Sequence, residues 1–220
     1  MAKTNVGLVE YAKKALQEKW GYVWGTFGYV LTEALFQEKL KQYPDRIGSF
    51  KNFILNNWIG RRVTDCVGLI KSYLWFDDTT GKIVYNISTD IGANTAFDKA
   101  KEKGPIGTIP EIPGLCVYKK GHIGVYIGNG QVIEAKGTRY GVVQTPLKGN
   151  GANAWTHWLE CPYIEYVEEP KPEPVTKDEV SQWAKEAWDW AKKNGISDGT
   201  RPKDNITREE VWTMLYRMRG

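Results

Sequence analysis

With three cysteines and two histidines, the chain offers few places for thiol or imidazole chemistry. Cys66 stands in the stretch Thr64-Asp65-Cys66-Val67-Gly68-Leu69-Ile70. Cys66, Leu69, Ile70, Tyr73 and Leu74 fall at helical spacing and make one apolar face. Thr64 or Asp65 supplies a short side-chain oxygen to accept from the helix's unpaired early N–H groups, which leaves Cys66 in the first turn. The positive end of a helix dipole favours a thiolate, and such sites bring a thiol from about 8.5 down to roughly 3.5–7.5. Taken alone, a cysteine on an apolar helix face is ordinarily core. A well-placed histidine changes that.

His122 opens the segment Gly121-His122-Ile123-Gly124-Val125-Tyr126-Ile127-Gly128-Asn129-Gly130-Gln131-Val132-Ile133-Glu134-Ala135, a hairpin with an Asn-Gly tip. A slip of one residue swaps the face of every side chain, so the loop length decides whether Glu134 can reach His122. A two-residue loop sets Val125 opposite Glu134 and Ile123 opposite Lys136, which mixes apolar and charged groups. A three-residue loop, Gly128-Asn129-Gly130, pairs Ile123 with Ala135, Val125 with Ile133 and Ile127 with Gln131. One face is then wholly apolar, and the other carries His122, Gly124, Tyr126, Val132, Glu134 and Lys136. Patterning favours the longer loop and puts Glu134 one diagonal step from His122.

Those three residues are the parts of a thiol catalyst. Cys66 supplies the nucleophile, His122 takes its proton and later protonates the leaving amine, and Glu134 orients the imidazole. Singly, His122 and Glu134 read as an exposed strand-end histidine and an exposed strand carboxylate; together with Cys66 they read as catalysis. His157, between Trp155 and Trp158, is a spare, packed or at the surface.

Several elements must position this set. Leu8, Tyr11, Ala12, Ala15 and Leu16 form a helical stripe over residues 5–19, stopped by Gly21. Gly21-Tyr22-Val23-Trp24-Gly25-Thr26 sets two aromatics between glycines in a stretch too short and exposed-looking for a standard core element. Residues 31–58 read as two helices separated by a Pro44-Asp45 turn. Asn94 is placed to cap a short helix carrying Phe97 and Ala100. Strand character follows at 115–118, 123–127, 131–135 and 142–143. Helices first and antiparallel strands afterwards make an α+β arrangement. Residues 168–176, Glu-Glu-Pro-Lys-Pro-Glu-Pro-Val-Thr, form a stiff linker. Beyond it, 177–220 holds two helices, with Val180, Trp183, Ala184, Ala187, Trp188 and Ala191 on one apolar face and capping-box spacing at Thr207 and Glu210.

Composition narrows the function. The 220 residues suffice for one sizeable core and a small appendage. A net charge of +4, spread along the chain, gives no basic block for nucleic acid. No apolar run approaches the ~20 residues that span a bilayer. The first residues lack a secretory profile, which implies synthesis in the cytoplasm and release by another route. Cys66, Cys116 and Cys161 are too scattered for a disulfide framework; the last two read as small buried hydrophobes, with a bridge between them the lesser alternative. A zinc amidase needs more imidazole than two histidines provide, and no carboxylate pair marks a muramidase. No metal or cofactor is expected.

The order of tyrosine–tryptophan–glycine turn, Asp-Cys-x-Gly-Leu helix and His-x-Gly-x-Tyr-x-Gly-Asn-Gly hairpin resembles the NlpC-type family of papain-like peptidoglycan peptidases, over residues 5–140. The resemblance implies Cys66 as nucleophile, His122 as base and Glu134 at the third polar position, which in the family is more often histidine. It places Tyr22 and Asp65 along the substrate groove, Asp65 as a partner for a stem-peptide amine, and Trp24 is assigned with them to substrate binding. Two departures stand out. Val67 replaces a serine common after the cysteine, which bears on specificity for a free L-alanine amine, and the segment 27–63 is longer than the usual connection and reshapes or caps the groove. The stretch from Asn194 to Glu210 is similar to a single S-layer homology motif, a wall-polymer-binding unit usually present in three copies; a helical pair for dimerisation is the other reading.

The expectation is a papain-like α+β domain over 1–167 with a helical insertion at 27–63, the linker at 168–176 and a wall-binding segment at 177–220. Its activity would be that of a thiol protease cutting a D-γ-glutamyl-diamino acid bond in peptidoglycan, as a phage-type endolysin acting at the bacterial wall. The alternatives are an N-acetylmuramoyl-L-alanine amidase using the same residues and a non-catalytic wall-binding protein. Partners would be peptidoglycan and secondary wall polymers, without nucleic acid or membrane insertion.

Overall fold

The computed structural model describes residues 2–167, 180–200, 202 and 204–218. The chain divides into two compact units, Met1–Val167 and Glu168–Gly220, and the expected linker at 168–176 lies outside the described residues.

The first unit begins with α1 (Asn5–Gln17), capped by Thr4, whose hydroxyl accepts from the Gly7 N–H. Short strands β1 (Gly21–Tyr22) and β2 (Phe27–Val30) lead into the insertion helices α2 (Glu33–Gln42), α3 (Pro44–Ile47) and α4 (Lys51–Asn57). Strand β3 (Arg62–Thr64) returns the chain to the central helix α5 (Cys66–Trp75). A small ribbon, β4 (Phe76–Asp77) and β5 (Lys82–Ile83), precedes α6 (Ala93–Lys99) and the edge strand β6 (Lys103–Pro105). Then come β7 (Cys116–Lys119), β8 (His122–Tyr126), β9 (Gln131–Gly137), β10 (Gly141–Pro146) and β11 (His157–Leu159). The main sheet runs β10-β9-β8-β7-β11-β6 and is antiparallel throughout. The class is α+β, helices on an antiparallel sheet, as the element order predicts.

Two expectations need correction. Gly21–Thr26 is not exposed: Val23 and Thr26 are buried, and β1 pairs in parallel with β3 while β2 pairs with it from the other side. The insertion brings β3 into the middle of this sheet, a long-range pairing that leaves no periodicity in a two-residue strand. Pro44 does not break the insertion but opens α3, since proline's missing N–H costs nothing at the first helical position. The insertion carries its own core, Leu31, Phe36, Ile47 and Ile54 packed with Val23 and Val63.

The hairpin register is the one patterning favours. Val125 faces Ile133, Tyr126 faces Val132, and Ile127 N–H bonds Gln131 O at 2.9 Å. The loop is Gly128-Asn129-Gly130, all three at positive φ. Ile123, Val125, Ile133 and Ala135 join Leu8, Ala12, Leu69 and Ile70 in the main core. The opposite face is covered as well, by Leu147 and Trp155 with Leu115, Val117, Tyr126 and Val132. This second cover puts Glu134 in the interior, where the hairpin alone would leave it at the surface.

In the second unit, α7 (Lys185–Lys193) and α8 (Arg208–Arg217) follow a turn at Gln182–Ala184. The capping box at Thr207 and Glu210 forms as the spacing predicts. Ile196 is buried, Trp188 Nε1 donates to Gly199 O at 3.0 Å, and Lys192 lies 4.0 Å over the Trp188 ring. Trp183, Trp190, Trp212, Leu215 and Tyr216 are exposed. No helix of the described residues is long and apolar enough to cross a membrane.

Candidate active site

Helix α5 starts as its sequence predicts. Asp65 is the N-cap, and its Oδ1 accepts from the Gly68 N–H at 2.7 Å. Its Oδ2 accepts from the Gly25 N–H at 2.9 Å, so one carboxylate ties the Trp24–Gly25 turn to the helix head. A cap of this kind contributes about 1 kcal/mol. Gly68 is required on packing grounds: a Cβ there would lie 2.1 Å from the Thr26 carbonyl oxygen. The helix is buried on almost every side, Val67, Gly68, Ser72 and Trp75 included, where periodicity shows a single apolar face.

Cys66 therefore sits in the interior and lines a pocket of about 300 Å³ together with Trp24, Asp65, Val67, Asn94 and Gly121 among others. Asn94 does not cap α6, whose N-cap is Gly92; its Oδ1 instead accepts from the Gly121 N–H and the Tyr118 hydroxyl, fixing the entry to β8. Burial pushes the Cys66 thiol up to about 12, with the Asp65 carboxylate adding to the rise, while the N–H groups of Val67, Ile123 and Cys66 itself oppose it. This reverses the lowered value that the helix dipole alone implies. Desolvation of a thiolate outweighs the partial charge of one helix end, so the resting group is a thiol. The Ile123 N–H beside the sulfur belongs to β8, one residue after His122.

The imidazole is held from behind. Nε2 of His122 lies 2.7 Å from Glu134 Oε2, and Trp155 stacks on the ring with centroids 5.4 Å apart and planes 11° from parallel. Gly124 leaves room for that cover, since a Cβ there would crowd Val132, Glu134 and Trp155. Glu134 is fully buried; Thr145 Oγ1 donates to its Oε1 at 2.8 Å, and Asn153 Nδ2 donates to Oε2. Lys119 Nζ in turn holds Asn153 Oδ1 at 2.7 Å. Burial raises the Glu134 pKa, but the bonds from His122, Thr145 and Asn153 and the charge of His122 more than offset it, and the carboxyl ends below its ordinary value. It is an anion facing the imidazole. With Nε2 committed, Nδ1 is the nitrogen left for a proton from elsewhere.

Of the other sequence-predicted residues, Trp24 and Asp65 line the pocket with Cys66, while Tyr22 is buried and does not line it. Burial keeps the Tyr22 phenol protonated, with the neighbouring Cys66 and Asp65 adding to the effect; the Cys66 backbone N–H and Arg46 work against it. His157 lies away from this set, against Phe97, and Cys116 and Cys161 are free and buried. Thr145, Asn153 and Trp155 escape a reading of the sequence. They lie 11 to 33 residues from their partners, Thr145 in β10 and Asn153 and Trp155 in the loop after it, with no motif, and only the fold brings them together. Among the described residues no three His, Cys, Asp or Glu side chains converge as metal ligands would.

No family model matches the chain, and no curated protein does. Solved structures are similar to it, among them two at low sequence identity. One is the peptidoglycan hydrolase RipB from Mycobacterium tuberculosis, at 19% identity and a TM-score of 0.38, covering 74% of this chain and 67% of that one. The other is the P60 domain of an antigen from M. avium subspecies paratuberculosis, at 21% identity and a TM-score of 0.38, covering 74% of this chain and 98% of that one. At these TM-scores neither likeness carries functional weight, and the chemistry rests on the geometry around Cys66, His122 and Glu134.

Proposed function

We propose that the chain is a cysteine hydrolase that cuts an amide bond of the peptidoglycan stem peptide, of the D-γ-glutamyl-diamino acid type, and serves as a phage-type endolysin. The observation that carries this reading is a pocket-facing thiol at a helix head, next to a strand whose histidine is backed by a buried, fully bonded carboxylate. Cys66 passes its proton to His122 Nδ1 as the sulfur attacks the carbonyl carbon. Glu134 holds the resulting imidazolium. The Cys66 N–H would stabilise the oxyanion, with the Tyr22 hydroxyl as a second donor. His122 then protonates the departing amine, and water, deprotonated by the same imidazole, releases the acyl group. The second unit, similar to one wall-polymer-binding motif, would hold the enzyme at the wall.

Purified walls test this directly. Cys66→Ala should abolish clearing of a wall suspension while its melting curve stays near wild type, and His122→Ala should abolish clearing with a lower Tm, because it strands the buried Glu134 carboxylate. Mass spectrometry of the released muropeptides should show a new diamino-acid amine and a γ-glutamyl carboxyl. A free lactyl carboxyl on muramic acid would assign the amidase bond instead, and undiminished clearing by Cys66→Ala would end the hydrolase reading.

A further inference from the structure

The insertion sets a cation against Trp24, one wall of this pocket. Arg46, in α3, lies with its guanidinium carbon 4.6 Å over the Trp24 ring, and Trp24 lines the pocket with Cys66. The mount is firm. Ile47, the next residue, is buried with Val23, and the Tyr43 ring packs so closely on Gly25 that a Cβ there would lie 2.3 Å from it. The Gly25 N–H is in turn held by Asp65. The arginine side chain itself is exposed, and among the described residues no carboxylate lies within ion-pair distance of it. Its charge is felt at Tyr22, a neighbour of Cys66. A guanidinium stacked by one face on an indole keeps its N–H edge free, and that fork matches a carboxylate in two parallel hydrogen bonds.

We propose that Arg46 receives a carboxylate of the substrate, making the enzyme selective for stem peptides whose glutamyl α-carboxyl is free rather than amidated. The inference rests on the stem-peptide reading above. A γ-linked glutamyl residue carries its α-carboxylate a few bonds from the scissile carbonyl, on the acyl side. With the carbonyl at Cys66, that group can turn toward the Trp24 wall. The carboxamide counterpart has the same shape but no charge, and its NH2 would face the guanidinium's own donors. The insertion, on this reading, sets specificity rather than chemistry.

The test uses the full chain with two synthetic stem tetrapeptides that differ only in a free α-carboxyl or an α-carboxamide on the glutamyl residue. In the Cys66→Ala background, titration calorimetry should show the acid bound about 10- to 100-fold more tightly, the range of a charge-assisted bidentate contact. Arg46→Ala and Arg46→Gln should bring the acid down to the amide's affinity and leave the amide unchanged, and Arg46→Lys should keep part of the preference. Equal binding of both peptides, binding of neither, or an equal loss for both on Arg46→Ala would overturn the inference. Wild-type protein that prefers the acid yet cuts neither peptide would sink the hydrolase reading and leave the carboxylate site standing.

Discussion

Replacing Glu134 by alanine and by glutamine separates what the buried carboxylate does for the fold from what it does for the imidazole. The side chain is fully buried and accepts from His122 at 2.7 Å, from Thr145 at 2.8 Å and from Asn153. Alanine strands all three partners in the interior, and breaking a buried pair in this way costs roughly 3–5 kcal/mol. In a unit of this length each kcal/mol moves Tm by about 2–4 °C, so a fall of about 6–20 °C is expected. Glutamine keeps the volume and one carbonyl oxygen for His122 and Asn153. Its NH2 then meets the Thr145 hydroxyl, which can rotate from donor to acceptor. The melting loss should be much smaller. Glutamine cannot supply a negative charge for the imidazolium that forms when the thiol proton moves. A hydrogen bond to a charged group is worth about 1.5–3 kcal/mol, so kcat should drop about 10- to 100-fold with KM little changed. The sign with pH follows from the lowered carboxyl pKa. The charge contributes stability above the unfolded value of about 4.3, lost as pH falls through the lower folded value. The melting gap between wild type and Glu134→Gln should accordingly close on acidification. Circular-dichroism melts from pH 3 to 8 and initial rates of wall clearing give both readouts. A glutamine variant with wild-type kcat, or alanine and glutamine variants equally unstable, would refute the account.

Three further outcomes are expected. Gly68→Ala drives a Cβ against the Thr26 carbonyl oxygen at 2.1 Å, so Tm should fall by an amount equivalent to about 1–3 kcal/mol or more, and an unchanged melt would contradict the packing described. Since burial pushes the Cys66 thiol up to about 12, iodoacetamide labelling in the free enzyme should be slow at pH 7 and climb steadily beyond pH 9. A plateau between pH 6 and 8 would mean a resting thiolate. Asp65→Ala removes the cap on α5 and frees the Gly25 N–H, so it should lower stability by about 1–2 kcal/mol and reduce wall clearing, whereas a fully active variant would detach Asp65 from the site.

Much of the candidate site was legible in order along the chain. The cap at Asp65 and the helix from Cys66 follow from a short oxygen before an apolar stripe. The hairpin register follows from a choice between two loops, only one of which keeps Ile123, Val125, Ile133 and Ala135 on one face. These are local patterns with strong periodicity. Strands β1, β3 and β11 have two or three residues each, too few for any period to show, and their partners lie far off in sequence. For that reason neither the burial of Gly21–Thr26 nor the docking of the insertion through Tyr43 and Arg46 leaves a local signature in the sequence.

The amino-acid order by itself determined which groups could react and how far apart along the chain they stand: one thiol at a helix head, one imidazole at a strand start, one carboxylate a diagonal step away. Tertiary structure decided their ionic states and their company. The helix dipole alone predicts a thiolate at Cys66, but desolvation, which exists only once α1, the sheet and the Trp24 turn close around the sulfur, keeps it a thiol. The hairpin alone leaves Glu134 exposed, but the chain carrying Leu147, Asn153 and Trp155 folds over it and turns a surface carboxylate into a buried, bonded anion. Dipoles and pleats are local and travel with the sequence; dielectric surroundings and distant hydrogen-bond partners do not.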